Sequence, residues 1–451
     1  MRDSKSAGFP AGLVLLVLGP WLWLGSTGCA GLRVADQLDR RLQNEEFNAG
    51  LEDIEKAKSQ YAGPNSLLYY FDKGSLEQRA ALYTASNADL EEGEKLIENL
   101  QVASVSESVA SFLVNDTTLS YSGEDFEQVM VNVLKTINYL CLGDLNGAQI
   151  EARKVNTRLL ALSDKYGQEA VYKEDAFARY LSAFAYEAAG EYNDAYLDYK
   201  SAYRDFQWYA KHFDIEVPPL ISADLLRLSH WLGFDDEYES WQHEFGTDGV
   251  EPGRRPQKQS EVLLVVFDGL MPRKQTRFVE APVLDPDHRG YMLKVAFPVI
   301  KPRNPALQAV RVQAEDGSTA DGYVVEPLQE IAIANLNQRI GLITVKAIAR
   351  AVAKYTAAVQ LRRATRTQDQ GLNLLVDVAS NIYTFATEQA DTRCWRSLPN
   401  RFGLIRLPLS PGVHQLNVQL EAFGGGFLPN RTLTVELKKG EKKVLPLYVA
   451  Q

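Results

Sequence analysis

Side chains able to do covalent or acid–base chemistry are sparse in this 451-residue chain, which holds three Cys and five His. So few of these ligands leave little material for a zinc or iron site. No HExxH, Walker-type glycine loop, GxSxG or CxxC occurs, so the common zinc-protease, nucleotide-hydrolase, serine-hydrolase and thiol-redox signatures are missing. One candidate is Asp268, which closes the apolar run Val262 to Phe267 and precedes Gly269. A carboxylate at a strand end suits a divalent cation, and Asp285, Asp287 and His288 lie downstream. The simpler expectation is a turn, since Asp-Gly favours one and His414 is the only histidine after residue 288. The other candidate is a thiol. Cys29 follows Arg2 and Lys5, the apolar run Ala11 to Leu24 and the small-residue string Gly25 to Gly28, the order of an export signal.

Those fourteen apolar residues would reach about 21 Å as a helix, short of a bilayer core of about 30 Å. Pro20 interrupts them further, so a permanent membrane span is disfavoured. The string Leu24 to Cys29 resembles the lipobox of bacterial lipoproteins, with Ser26 where Leu is usual. That resemblance implies cleavage of residues 1–28 as a signal peptide, diacylglycerol on the Cys29 thiol and a membrane anchor through it. Ala30 next to the lipidated residue implies sorting to the outer membrane, facing the periplasm. The segment Val262 to Pro272 resembles the strand and metal-binding aspartate that open alkaline-phosphatase-type phosphodiesterases, yet the later ligands and alternating βα units of that fold are missing. We therefore expect no enzyme, cofactor, metal site or small-molecule substrate.

What must position these residues is legible from periodicity. The composition, 45% apolar and 24% charged, is that of a globular protein, and a net charge of −10 disfavours nucleic acid. From about residue 29 to 245, apolar residues recur at three and four, so helices are expected. Ala183, Tyr186, Gly190, Tyr192, Ala195, Tyr199 and Ala202 fall at the offsets of a tetratricopeptide (TPR) repeat. Weaker matches lie at Tyr139, Gly143, Leu145, Ala148 and Ala152, and at Gly74, Tyr83, Ser86 and Leu90. The first helices of such hairpins line a concave groove, here Met130, Val133, Leu134, Ile137 and Leu140, then Phe177, Tyr180, Leu181, Phe184 and Glu187. This groove either receives an apolar segment of a partner or is filled by the chain itself.

Residues 246–260, rich in Gly, Pro and charge, read as a linker to a β-rich domain over 261–451. Short β-branched runs surround a helical insert at about 328–390, predicting an antiparallel sandwich with a helical insertion and an α+β class overall. Within the insert, Leu342, Val345, Ile348, Val352, Tyr355 and Val359 predict an apolar face, and Lys346, Arg350 and Lys354 a basic one. That basic face could bind an anionic polymer, a lipid headgroup or a partner's acidic face, but is read first as a solvated surface or as one that docks on the acidic helical half. Asp391, Arg393 and Trp395 read as an ion pair and an anchor where the insert rejoins the sandwich. Cys141 and Cys394 are expected to stay unpaired.

Residues 123–156, 263–274, 347–355 and 390–399 resemble an uncharacterised family of bacterial TPR-like envelope lipoproteins. The resemblance spans most of the mature chain, brings no catalytic residues, and implies a role in envelope assembly, at times beside curli-type secretion components. The combined expectation is a lipid-anchored interaction scaffold for envelope proteins, with activation of a peptidoglycan enzyme as the alternative.

Overall fold

The computed structural model describes residue 34 and residues 36–104, 118–166, 174–247, 260–284, 290–365 and 390–450. The signal sequence, Cys29, Asp285, Asp287, His288 and the second half of the helical insert lie outside these residues.

The first half is a run of helices: α1 (36–43), α2 (Phe47–Lys56), α3 (Ser66–Arg79), α4 (Tyr83–Ser104), α5 (Asp125–Leu142), α6 (Leu145–Tyr166), α7 (Ala176–Ala188), α8 (Tyr192–His212), α9 (Pro219–Leu232) and α10 (Asp235–Phe245). From α3 onward, consecutive helices pack as pairs joined by tight turns. Local chemistry sets the ends. A capping box of Glu124 and Glu127 opens α5, and Gly143 at φ 72° closes it. The Asp175 side chain accepts the Ala178 N–H at 2.6 Å to cap α7. Within pairs, small residues let the backbones approach: a Cβ on Gly74 would lie 2.7 Å from the Leu90 side chain, and one on Gly147 only 2.4 Å from the Tyr139 ring. Ala183, Ala195 and Ala202 are buried in the same way in the best-matched repeat. The pair α9–α10 extends the array by one hairpin that the repeat offsets did not reveal.

The second half contains β1 (Ser260–Asp268), β2 (Arg273–Leu284), β3 (Gly290–Lys301), β4 (Leu307–Ala314), β5 (Thr319–Asp321), β6 (Tyr323–Glu326), α11 (Leu328–Thr365), β7 (Arg401–Leu409), β8 (Gly412–Ala422), β9 (Arg431–Leu437) and β10 (Lys442–Val449). Two four-stranded sheets, ordered β10-β1-β7-β6 and β5-β4-β8-β9, form the sandwich, and β2 and β3 make a separate hairpin. All pairings are antiparallel except β1 with β10.

Strand β1 explains the layering. It is buried along its whole length, which is why its sequence is a continuous apolar run and not an alternating one. Val262, Leu264 and Val266 face the second sheet. Leu263, Val265 and Phe267 join Phe177, Phe184 and Tyr199 in the core of the helical array. The result is a three-layer α+β protein in which one buried core crosses from helices to strands.

Three details differ from the sequence expectations. Strand β2, with Arg, Lys, Gln, Thr, Glu and Pro282, was not foreseen; among the described residues it pairs with β3 alone, and such a marginal hairpin carries no strong apolar alternation. On α11, Leu342, Val345, Ile348 and Val352 are exposed while Ala347 and Arg350 are buried. The predicted apolar face is thus presented outward, while the helix also packs against β3. Arg350 therefore leaves the predicted basic face; Lys346 is exposed, and the Lys354 side chain lies outside the described residues.

Candidate functional site

The residues expected to line the groove are brought together on one face of the array, but not as an open surface. Met130, Val133, Ile137, Phe177, Tyr180, Leu181, Phe184 and Glu187 are all buried. Of the two alternatives for this face, the chain fills it with its own first sheet. Phe177 stacks on Phe402 of β7 with ring centroids 4.8 Å apart, and the Arg406 guanidinium lies 5.3 Å from the Phe184 ring centroid.

An ionic cluster occupies the centre of this interface. Glu187 of α7, Asp224 and Arg227 of α9, Glu261 of β1, Arg406 of β7 and Lys442 of β10 meet there, three carboxylates and three cations. Arg406 donates from Nε to Glu261 at 2.6 Å and from Nη2 to Glu261 at 2.7 Å, a bidentate pair. It also reaches Glu187 at 3.1 Å, the Tyr180 hydroxyl at 3.1 Å and Asp224. The Tyr180 hydroxyl donates to Asp224 and that of Tyr199 to Glu187, each at 2.9 Å. Burial opposes ionisation of Glu261, but Arg406 and Lys442 outweigh it and hold the carboxyl at about 2. Glu187 is likewise desolvated, yet Arg227, Lys442 and Arg406 keep it well below the usual carboxylate range. For Asp224 burial prevails over its arginines and the pKa rises. Since every charge has opposite partners, the cluster has the chemistry of a structural lock and offers no free base or nucleophile.

A second contact lies at the segment predicted as an anchor. Trp395 is fully buried and stacked on Phe71 at 4.0 Å. Its indole N–H is 2.9 Å from both the Ser75 and Ser397 hydroxyls, and its backbone N–H donates to Glu127 at 2.7 Å. Asp391 pairs with Arg393 at 2.7 Å. Burial raises Glu127 to about 7 and Asp72, which accepts from Ser397, to about 6. A third polar group sits where β6 meets α7. Glu326 accepts from the Tyr209 hydroxyl at 2.9 Å, and burial, then the neighbouring Asp175, pushes its carboxyl well above the usual value.

The sequence candidates for catalysis have structural employment. Asp268 accepts the backbone N–H groups of Ala306 and Leu307 at 2.7 and 3.0 Å and the Arg401 Nε at 2.7 Å. It clamps one end of the sandwich. Glu91, Glu94 and Glu151 approach closely enough for a cation. Lys135 Nζ, however, sits 2.9 Å from both Glu94 and Glu151, so an ammonium already holds the position a metal would take. Cys141 and Cys394 are free thiols, raised by burial to about 12 and about 11. Sequence reasoning missed Glu261 and Arg406; the available signal was a single charge inside each of two otherwise apolar strands, SEVLLVVF and FGLIRLPL.

No protein-family model and no curated protein matches the chain. Among solved structures, a Podosopora anserina kinesin light chain with nearly identical TPR-like repeats is similar at 16% identity and a TM-score of 0.29, over 49% of this chain and 98% of that one.

Proposed function

We propose that the chain is a lipid-anchored bacterial envelope protein that acts as an interaction scaffold or assembly accessory, held to the outer membrane through Cys29 and facing the periplasm. The lipobox-like string supports the anchor. Because the concave face is occupied by the first sheet, the partner surface must lie elsewhere. The observation that carries the reading is a stripe on α11, where Leu342, Val345, Ile348 and Val352 are 61%, 63%, 43% and 38% exposed. Their spacing of three, three and four places them along one side of the helix, the pattern that receives an amphipathic helix of another protein.

The test is a photocrosslinking amino acid at Val345 in cells, compared with the same probe in a chain that also carries Leu342→Glu and Ile348→Glu. A defined envelope protein crosslinked to the native stripe and lost in the double variant is the expected result. Adducts confined to the chain's own residues 366–389, or the same partner recovered with the double variant, would overturn the reading.

A further inference from the structure

The turn between β8 and β9 exposes two aromatic rings close together. Phe427 is 78% exposed and Phe423 46%, at the two ends of Phe423-Gly-Gly-Gly-Phe427. The glycines have φ of 88°, 100° and 89°, and a Cβ at any of them would meet nothing within 4 Å, so the turn projects away from the body. Its shape is nevertheless fixed. Ala422 donates to the Gly426 carbonyl at 2.9 Å, Gly425 to Ala422 at 3.0 Å, Leu428 to Leu420 at 2.9 Å and Phe423 to Ala306 at 3.0 Å. The two rings are held outward by backbone bonds and are not waiting for a collapse that would bury them. The nine residues from Ala422 to Asn430 carry no charge.

The position of this turn says what it faces. Leu307 pairs with Ala422, and Arg431 with Val418, so the turn caps the same end of the sandwich as Asp268 and Val449. The amino-terminal helix α1 docks at that end: Asp39 pairs with Arg273 and Arg303, each at 2.5 Å. Arg431, immediately after the turn, pairs with Glu45. Four residues lie between Cys29 and Val34, and the five Cα–Cα steps allow about 17 Å at full extension. An acyl chain on Cys29 would therefore hold this end of the molecule against the membrane.

We propose that Phe423 and Phe427 form a second membrane contact, entering the interfacial layer of the bilayer to which Cys29 is anchored. The inference rests on the lipid-anchor reading above. Uncharged aromatic side chains suit the boundary between headgroups and acyl chains. Once the lipid has brought them there, their contact is intramolecular in effect and orients the body relative to the membrane.

The experiment uses the lipidated chain in vesicles of phosphatidylethanolamine and phosphatidylglycerol. An environment-sensitive fluorophore is placed at Phe427→Cys or, as a control, at Val413→Cys, which is exposed at the opposite end of the sandwich. Both labelled chains carry Cys141→Ser and Cys394→Ser, so that the label has one free thiol. The expected result is a blue shift and quenching by doxyl lipid at position 427, with neither at 413. An acylated chain whose two probes both stay aqueous and unquenched overturns the membrane contact and leaves the anchor standing. A mature chain with no acyl mass on Cys29 overturns the anchor and this inference with it. In a Phe423→Ser and Phe427→Ser chain, both sites being exposed, faster transfer to acceptor vesicles is expected with an unchanged fold; an unchanged transfer rate counts against the contact.

Discussion

Replacing Arg406 by Met tests whether the helices and the sheet are locked by the buried ionic cluster. The native site balances Glu187, Asp224 and Glu261 against Arg227, Arg406 and Lys442. Arg406→Met leaves three carboxylates facing two cations in a buried site, while Met retains much of the side chain's volume. Removing one partner of a buried ion pair costs about 3–5 kcal/mol, a loss of roughly two to four orders of magnitude in the folding constant. The sign with pH follows from the carboxylates. Glu261, held at about 2, and Glu187, held well below its usual range, contribute stability above the unfolded pKa that disappears as pH falls through the folded value. Without Arg406 that depression shrinks, so the variant's deficit is full at pH 7 and narrows on acidification. Urea unfolding followed by both circular dichroism and tryptophan fluorescence measures it. Adding Glu261→Gln removes the orphaned charge and should recover part of the loss. A deficit below about 1 kcal/mol at pH 7, or one that does not change with pH, would refute the assignment of the lock to this cluster.

Two further substitutions probe the other contacts. Trp395→Ala removes a fully buried ring stacked on Phe71 and the indole N–H that Ser75 and Ser397 share; it should cost about 3–5 kcal/mol by chemical denaturation, and a loss under about 1 kcal/mol would show that the site collapses around the void. Glu326 sits beside Asp175 and Tyr209 with its pKa raised by burial, so the folded state holds a proton that the unfolded chain releases, and stability falls as pH rises above the usual carboxyl range. Asp72 at about 6 and Glu127 at about 7 act in the same direction. Glu326→Gln has no proton to lose and should therefore show a flatter decline between pH 5 and pH 8, with a gain of about 1–3 kcal/mol at the upper end; a curve parallel to the native one would contradict this.

How much was visible in the sequence depended on how local the cause was. The hairpin over α7 and α8 was legible because its determinants lie within thirty residues of one another: Gly190 at φ 86° for the turn and Ala183, Ala195 and Ala202 for close approach. The buried strand β1 and the Trp395 anchor were visible as unusual local compositions. The fate of the groove was not, because its occupants, Phe402 and Arg406, are more than two hundred residues from Phe177 and Phe184 in the chain. Spacing along a helix shows that a face is apolar and says nothing about what covers it. For the same reason the period of α11 showed an apolar face but not that Arg350 would be buried, since its packing partner β3 is a strand whose own pairing is with the weakly patterned β2. Asp268 looked chemical because an aspartate ending an apolar strand is ambiguous until the Ala306 and Leu307 amides are seen to use it.

The filled groove changes what the helical array is for. An open array would read a partner directly, with the second domain free to move. Here Phe177, Phe184 and the ion cluster join the array to β1, β7 and β10, and Trp395 joins it again to the segment following the insert. Two such contacts, one apolar and charged and one aromatic, constrain rotation of the sandwich against the helices as well as separation. A constraint of that kind is useful to a scaffold. It fixes the direction in which α11 leaves the core relative to the end that carries α1 and the Phe423–Phe427 turn. On the proposed reading, a membrane contact at that end would set where the apolar stripe of α11 is presented, and the interior that appeared to be a recognition site would serve to hold that geometry.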